Sequence, residues 1–560
     1  MAQPSSFLTQ QIRHGRAALG HVWDVLRLDG PGKIQFWFIA LLLGVASGFA
    51  AVFFREGITA LQSFLYATDD VHQLHTHARA LPWLWILLLP IAGGLAVGLI
   101  LHHFTPDGRV RSVADVIEGA ALYDGRVERR AGLASACASL ITLSSGGSSG
   151  REGPVVHLAG VISTQISRWI RADGITGRDL LGCAVAAAVS ASFNAPIAGA
   201  LFALEVVLRH FAVHAFAPIA IASVAGTVVS RLWFGDQAEY VGVTPGELQF
   251  YVELPAFLIL GLICGLVAVV LMLSIFWGET VADHIQARLR LPRWLRPAVA
   301  GALLGGLAIG FPHIIGVGYE TTRDALLGEL LLREAMIFAV IKVVATAITM
   351  AGRMGGGVFS PSLMTGALSG LAFGYVATAV FPDVSGNVAL YAFAGMGAVA
   401  AAVLGAPIST TLIVFELTGD WQIGIAVMVS VSLSTALASR LVHRSFFLTQ
   451  LERRNRHLAA GPQAYLLALC HVGAIQRPLS DPRAPDLIAC QTLVDKGLFL
   501  QQNATLEAAL PLFDRADVDV LPVVRTDTNG GLEVIGALFH TDALKAYSRA
   551  LADTAAEEHS

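Results

Sequence analysis

The sequence predicts an all-α polytopic membrane protein with a small cytoplasmic α/β unit at the end of the chain. Three observations carry that class. Of 560 residues, 55% are hydrophobic and 14% charged, whereas soluble domains carry roughly 25% charged residues; the mean hydropathy is +0.64. Apolar runs recur from Phe36 to Leu441, several well short of the ~20 residues of a full span. After Arg456, prolines and charges rise together, and strand and helix periods alternate.

In order, residues 1–33 read as a cytoplasmic lead with a short amphipathic helix over Ser6–Leu28. Arg13, His14, Arg16 and Lys33 place it inside by the positive-inside rule. No apolar h-region occurs there, so no cleaved signal peptide is expected. The membrane unit is taken as 34–450. Phe36–Leu65 and Leu81–His103 are long enough to span. Further runs fall at 131–143, 155–170, 178–191, 196–208, 214–233, 254–277, 295–311, 334–351, 359–380, 388–404, 408–417 and 422–441. Short helices interrupted by Gly and Pro point to a transporter or channel with a site near the midplane. Arg440, His443, Arg444, Arg453, Arg454 and Arg456 make the far end basic again, which puts both termini in the cytoplasm and requires an even number of crossings.

The stretch Ser144–Pro154 begins with seven consecutive Gly or Ser residues between two apolar runs. Such a run does not make a stable membrane helix. Bare backbone at membrane depth is tolerated where it lines a cavity or is buried in protein. Arg151 and Glu152 add two charges at that depth, costly unless paired or functional. Gly153–Pro154 and an apolar run then read as a helix starting with its amides in the cavity, a ready anion site. The plain alternative is a polar loop outside the membrane.

Four features recur in order in the two halves. Gly-rich breaks end at Pro154 and Pro361. Small-residue runs cover Ala184–Ala188 and Gly397–Ala401. Ala195–Pro196–Ile197 matches Ala406–Pro407–Ile408, and Glu205 and Glu416 each lie nine residues after the proline. Two homologous halves that each supply a broken helix fit a transport protein with inverted repeats, although order alone does not fix the halves' relative orientation.

Pro478, Pro482 and Pro485 mark 451–497 as a linker or a degenerate module. From Leu498 to 552 the pattern gives a strand-like Leu521–Val524, a turn at Asn529–Gly531, a strand Val534–Phe539 and a helix Asp542–Arg549. The net charge of −4 makes no case for nucleic acid. Cys137, Cys183, Cys264, Cys470 and Cys490 have neither paired nor metal-type spacing, so no disulfide or metal site is expected.

Gly150–Arg151–Glu152–Gly153–Pro154 and Gly356–Gly357–Val358–Phe359–Ser360–Pro361 resemble two signature motifs of the CLC chloride channel and transporter family. Phe193–Asn194–Ala195–Pro196 between them fits as well. The resemblance covers 35–450, and the tail resembles a CBS domain. It implies a CLC-like fold of two inverted repeats, a homodimer with one pore per subunit, and chloride or another small anion as the transported ligand. Glu152 stands at the family's gating glutamate: a carboxylate that competes with the permeant anion and leaves when protonated or displaced. Its other reading is a helix N-terminal carboxylate or a partner for Arg151, itself read as structural. The amides of Gly153, Val358 and Phe359 are candidate anion donors, since each helix N-terminus carries roughly +0.5 e.

The family's third motif, Gly-Ser-Gly-Ile-Pro, is missing. Ser112 falls at its ion-coordinating serine, and Ser112 with Asp115 also makes a capping box. Arg111 beside it is a departure expected to raise anion affinity or shape the inner mouth. Phe447 aligns with the family's coordinating tyrosine but lacks a hydroxyl, so the central site is expected to be weaker. Exchangers of the family carry a proton-relaying glutamate where Val206 stands. Glu205 and Glu416 read as structural carboxylates capped by backbone amides, and His157 as packing or a proton acceptor.

On these grounds the expected function is passive, Glu152-gated chloride conduction and not an enzyme activity, with chloride/proton antiport the alternative and a coupled organic-solute carrier a distant one. Gly146–Gly150 formally fits G-x-S-x-G, but the strand-turn-helix context of a serine hydrolase is absent. No phosphate-binding G-x-x-x-x-G-K-[ST] loop argues for an ATP-driven pump. No cofactor is expected beyond an adenine nucleotide on the tail, where Asp542 could meet a ribose. The composition suggests a bacterial inner membrane.

Overall fold

The computed structural model describes residues 33–68, 70–172, 174–211, 213–235, 250–383, 385, 387–454, 456, 467, 470–526 and 532–558. The helix expected over Ser6–Leu28 and the turn at Asn529–Gly531 lie outside them. The membrane unit consists of α1 (Lys33–Tyr66), α2 (Trp83–Phe104), α3 (Val113–Leu122), α4 (Arg129–Ser145), α5 (Glu152–Trp169), α6 (Gly174–Phe193), α7 (Pro196–Phe202, running on into a π-helical turn Ala203–Leu208) and α8 (Val213–Phe234). The second half follows with α9 (Phe250–Leu289), α10 (Arg296–Gly310), α11 (Tyr319–Leu327), α12 (Leu332–Ala351), α13 (Phe359–Val380), α14 (Val388–Leu404), α15 (Pro407–Thr418), α16 (Trp421–Val442) and α17 (Phe446–Glu452). Among the described residues, seven helices are long and apolar enough to cross a membrane; α7, α14 and α15 are shorter apolar helices.

Two helices rich in small residues are buried along almost their whole length. Every residue from Gly177 to Phe193 of α6 and from Ala389 to Leu404 of α14 is buried. Long helices keep large apolar side chains outside, among them Trp37, Phe53, Leu88, Leu266 and Val340. A surface of that kind suits lipid rather than water. The core therefore sits on the small-residue helices, whose backbones approach closely: a Cβ on Gly366 of α13 would lie 2.3 Å from the Gly395 carbonyl of α14.

The two Gly-rich breaks meet at the centre. Gly150 N donates to Gly357 O at 2.7 Å, and Gly357 N donates to Gly150 O at 2.8 Å, a two-residue antiparallel pairing. This satisfies backbone that no helix uses, as a nonaqueous interior demands. It also brings the starts of α5 and α13 together. Gly356 has φ +121°, and a Cβ there would lie 2.0 Å from Ser149 Oγ, so only glycine fits this turn.

A second reciprocal pair relates the halves. Glu205, in the turn that ends α7, accepts from Ile408 N at 3.0 Å and Ser409 N at 2.8 Å, capping the start of α15. Glu416, near the end of α15, accepts from Ile197 N at 3.0 Å and Ala198 N at 2.8 Å, capping the start of α7. Each carboxylate closes the other half's helix, so the two helices run antiparallel and the halves are locally inverted. Pro196 and Pro407 open these helices at positions where a missing N–H costs nothing.

The tail forms one four-stranded sheet of order β1-β4-β3-β2, with β1 (Arg477–Pro478), β2 (Leu500–Gln501), β3 (Val520–Thr526) and β4 (Leu532–Phe539). Helices α18 (Leu487–Asp495), α19 (Leu506–Ala516) and α20 (His540–Glu558) accompany it. β2 and β3 are parallel, and β4 is antiparallel to both β3 and β1. Because β1 and α18 fall within 451–497, the small unit begins ahead of Leu498. That stretch is not merely a linker.

Candidate functional site: a buried chamber between two helix starts

One chamber is lined by Ser112, Val113, Glu152, Gly153, Val156, Val189, Phe202, Met350, Gly356–Phe359, Phe446 and Phe447. It thus gathers Glu152 and every residue singled out for anion coordination. Glu152 is 3% exposed, and its Oε1 accepts from Ser360 Oγ at 2.6 Å. Val358 is the N-cap of α13 and Phe359 its first residue. The first amides of a helix have no intrahelical acceptor, so α5 and α13 both present donors and positive potential toward this space. Phe359 is wedged by Phe193 at 4.7 Å and Phe202 at 5.9 Å between ring centroids. Phe447 meets Phe446 edge-on at 5.8 Å. The aromatic wall keeps the dielectric low, which strengthens any charge interaction inside.

Ser112 is the N-cap of α3, and Asp115 Oδ2 accepts from Ser112 N at 2.8 Å. Ser112 still lines the chamber, so the cap and the chamber role coexist. Ser112, Met350 and Gly356 also line the cavity below, toward the face that carries the C-terminal unit, together with Arg109, Glu279, Arg353, Arg453 and Arg454. This is the mouth on the side of the C-terminal unit. On the opposite face, a cavity is lined by Arg55, Gln62, His75, Arg151, His313 and Glu320. Glu152 stands at the chamber's end of this second approach, and Arg151 at the vestibule's.

The structure corrects one reading and refines others. Arg111 does not face the chamber: its guanidinium meets Asp107 at 2.9 Å, Glu128 at 2.9 Å and Asp115 at 3.9 Å. Its charge is matched by carboxylates before an anion arrives. Burial works against ionisation of Asp107, yet Arg111 and then Arg109 hold its carboxyl down to about 2. Arg151 donates to Ser192 O at 3.1 Å and lies over the Tyr319 ring, as a structural arginine would. Val206 is buried in the π-helical turn and does not line the chamber. Glu205 also accepts from Ser409 Oγ at 2.8 Å, giving it three donors in all with the amides of Ile408 and Ser409.

Asp542, the possible ribose ligand, is held on both oxygens by Arg477, whose Nη2 donates at 2.8 Å and whose Nε donates to Oδ2. That guanidinium lies 4.8 Å over the Phe539 ring. Sequence reasoning passed over Ser360. With the two breaks aligned on Gly150/Gly357 and Pro154/Pro361, Ser360 falls opposite Gly153, immediately after the counterpart of Glu152, and that alignment was the available signal. It also passed over Lys342, fully buried in α12, whose Nζ donates to Gly316 O at 3.2 Å and Val317 O at 3.3 Å.

Comparison with known proteins places the chain in a family. Residues 93–439 match the family model described as voltage gated chloride channel. A ClcB-like protein of Ralstonia nicotianae is 34% identical over 70% of this chain and 91% of its own. The voltage-gated ClC-type chloride channel ClcB of Escherichia coli is 29% identical over 74% and 97%. A slow cyanobacterial Cl−/H+ antiporter has the same fold, with a TM-score of 0.66 at 22% identity over 75% of this chain and 97% of that one. The chain is a multi-pass integral membrane protein and belongs to the voltage-gated chloride channel (CLC) family.

Proposed function

We propose that the protein exchanges chloride for protons, with Glu152 as the gate between chamber and outer vestibule. The observation that carries this reading is the Glu152 carboxylate itself, buried in an anion-tuned chamber and held by Ser360. A negative side chain there excludes chloride from the place it occupies; protonation removes the charge and frees the space. Proton uptake and anion passage then share one group, the minimum that coupling requires. Chloride in the chamber is held by the Gly153, Val358 and Phe359 amides and the Ser112 hydroxyl, while Phe447 contributes shape without a hydrogen bond. The cyanobacterial neighbour of the same fold is a Cl−/H+ antiporter. The sequence placed exchange second to passive conduction, and one observation still favours conduction: Val206 is apolar and buried, so it relays no proton.

A closed, phenylalanine-lined chamber leaves little room for an organic solute. We read the assembly as a homodimer in a bacterial inner membrane, with both termini cytoplasmic, and 498–552 with its added β1 as a CBS-like module. A nucleotide at Asp542 would have to displace Arg477.

The test is chloride flux from liposomes containing the purified protein, with external pH recorded simultaneously. Exchange predicts that a chloride gradient drives protons uphill. Chloride movement without protons, reversing at the chloride equilibrium potential, would mean passive conduction. Glu152→Gln is expected to carry chloride without protons and to lose pH dependence; an unchanged pH response would remove Glu152 from the gate.

A further inference from the structure

Exchange requires a proton to reach Glu152 from the inner face, and the two obvious carriers are disqualified. Val206 has no titratable group. Glu205 is committed to three donors at the start of α15. His157 differs from both. It lies on α5, the gate helix, five residues past Glu152, which is a rise of about 7.5 Å along the axis. It is 1% exposed, and neither ring nitrogen has a hydrogen-bond partner. A buried polar ring left unsatisfied is costly and calls for a reason.

The ring is not sealed in apolar packing. It lines a charged cavity on the inner face together with Arg111, Asp115, Glu118, Glu128 and Arg454. The charged groups acting on it are Asp115 and Arg111, from α3 and the residues leading into it, and Glu128 at the start of α4. Helix α6 meets α5 through Leu181, beside Gly160. On the α4 side the ring has room because residue 132 is glycine: a Cβ there would lie 2.7 Å from His157 Cε1 and 2.9 Å from Nδ1. Ser135 and Ser139 continue the Gly132 face of α4 at helical spacing. Ser139 Oγ is buried without a partner, and a Cβ on Gly355 would lie 2.5 Å from it, at the break that carries the chamber's glycines. Small and hydroxylic positions therefore lead from the imidazole toward the gate.

We infer that His157 is the inner proton station of this chain, taking protons from the charged cavity and passing them to Glu152. The inference rests on the exchange reading above. A ring nitrogen takes a proton from cavity water. That N–H bond breaks as a Glu152 carboxylate oxygen takes the proton through intervening water or the Ser139 hydroxyl, and the imidazole returns to neutral. No redox partner is needed.

Full-length wild type, His157→Gln and His157→Glu are compared in liposomes for chloride and proton flux under one chloride gradient. His157→Gln is expected to retain chloride flux within about twofold and to lose proton flux about a hundredfold, the lower end of what a positioned proton-transfer group contributes. His157→Glu, titratable again, is expected to restore much of the proton flux. An unchanged proton-to-chloride ratio in His157→Gln overturns this inference and leaves exchange standing. Wild type that moves no protons overturns both. If His157→Gln loses both fluxes together, His157→Glu decides: a near-wild-type ratio supports the station, and an uncoupled one overturns it.

Discussion

The Ser360 hydroxyl donates to a buried carboxylate, and hydrogen bonds to charged groups contribute about 1.5–3 kcal/mol. If that bond holds Glu152 in the closed position, Ser360→Ala opens the chamber more often. Chloride flux at neutral pH is then expected to rise about tenfold, a lower-end estimate from the same range; equal flux would show that Ser360 does not hold the gate. Asp324, on α11, gives a pH signature outside the candidate membrane spans. Burial, reinforced by repulsion from Glu320 and Glu329, lifts its carboxyl to about 6. A raised folded value means that its contribution to stability is complete below about pH 4 and is lost as pH rises through 6. Asp324→Asn escapes that loss, so its Tm is expected to exceed wild type at about pH 7.5 and to match it near pH 4. At this scale Glu152 was legible because a motif carries it, and Ser112 and Phe447 were legible only through alignment with the family the chain resembles. The ring of carboxylates around Arg111 was not, because Glu128 reaches it through space across the α3–α4 connection rather than through a local pattern.

Helix ends rather than helix interiors join the two halves. The Glu205 and Glu416 carboxylates cap each other's neighbouring helix through paired amides, and losing an N-terminal cap typically costs about 1 kcal/mol. Glu205→Ala and Glu416→Ala are therefore expected to lower thermal stability by similar amounts and to leave the proton-to-chloride ratio alike. A proton-relay role would instead make Glu205→Ala alone uncouple transport, so flux ratios measured on both variants decide between cap and carrier. The apolar runs foretold these elements well, since 359–380 and 388–404 fall on α13 and α14. Helices α3, α11 and α17 escaped them, and α9 outran its stretch. α9 runs on to Leu289 through Glu279, Asp283 and Gln286, past the end of its apolar stretch. α11 mixes Glu320, Arg323 and Asp324 with few apolar residues. Apolar length detects lipid contact, whereas these segments are held by protein and water.

At the scale of the whole molecule, the chamber and the tail are separable in sequence: every chamber residue lies between Ser112 and Phe447. The tail touches one face of the membrane unit through groups such as His471, 3.6 Å from Asp124, where both side chains are substantially exposed. Exposed pairs of this kind contribute at most about 1 kcal/mol. Stronger ties at that face come from residues just past α17: Arg454 meets Asp115 at 3.0 Å and Arg456 meets Glu118 at 3.0 Å. They anchor α3, and with it Ser112. A chain ending after Arg456 keeps these anchors and is expected to transport chloride within about twofold of the full chain, since the arginines that hold α3 stay in place. A chain ending after Arg453 removes both arginines, leaves Asp115 with Arg111 at 3.9 Å and Glu118 without Arg456, and is expected to lose most of its flux although its chamber lining is complete. Liposome flux from the two truncations separates these outcomes. Equal loss in both would mean that the folded tail itself holds this mouth, and equal retention would mean that α3 stands without its arginines.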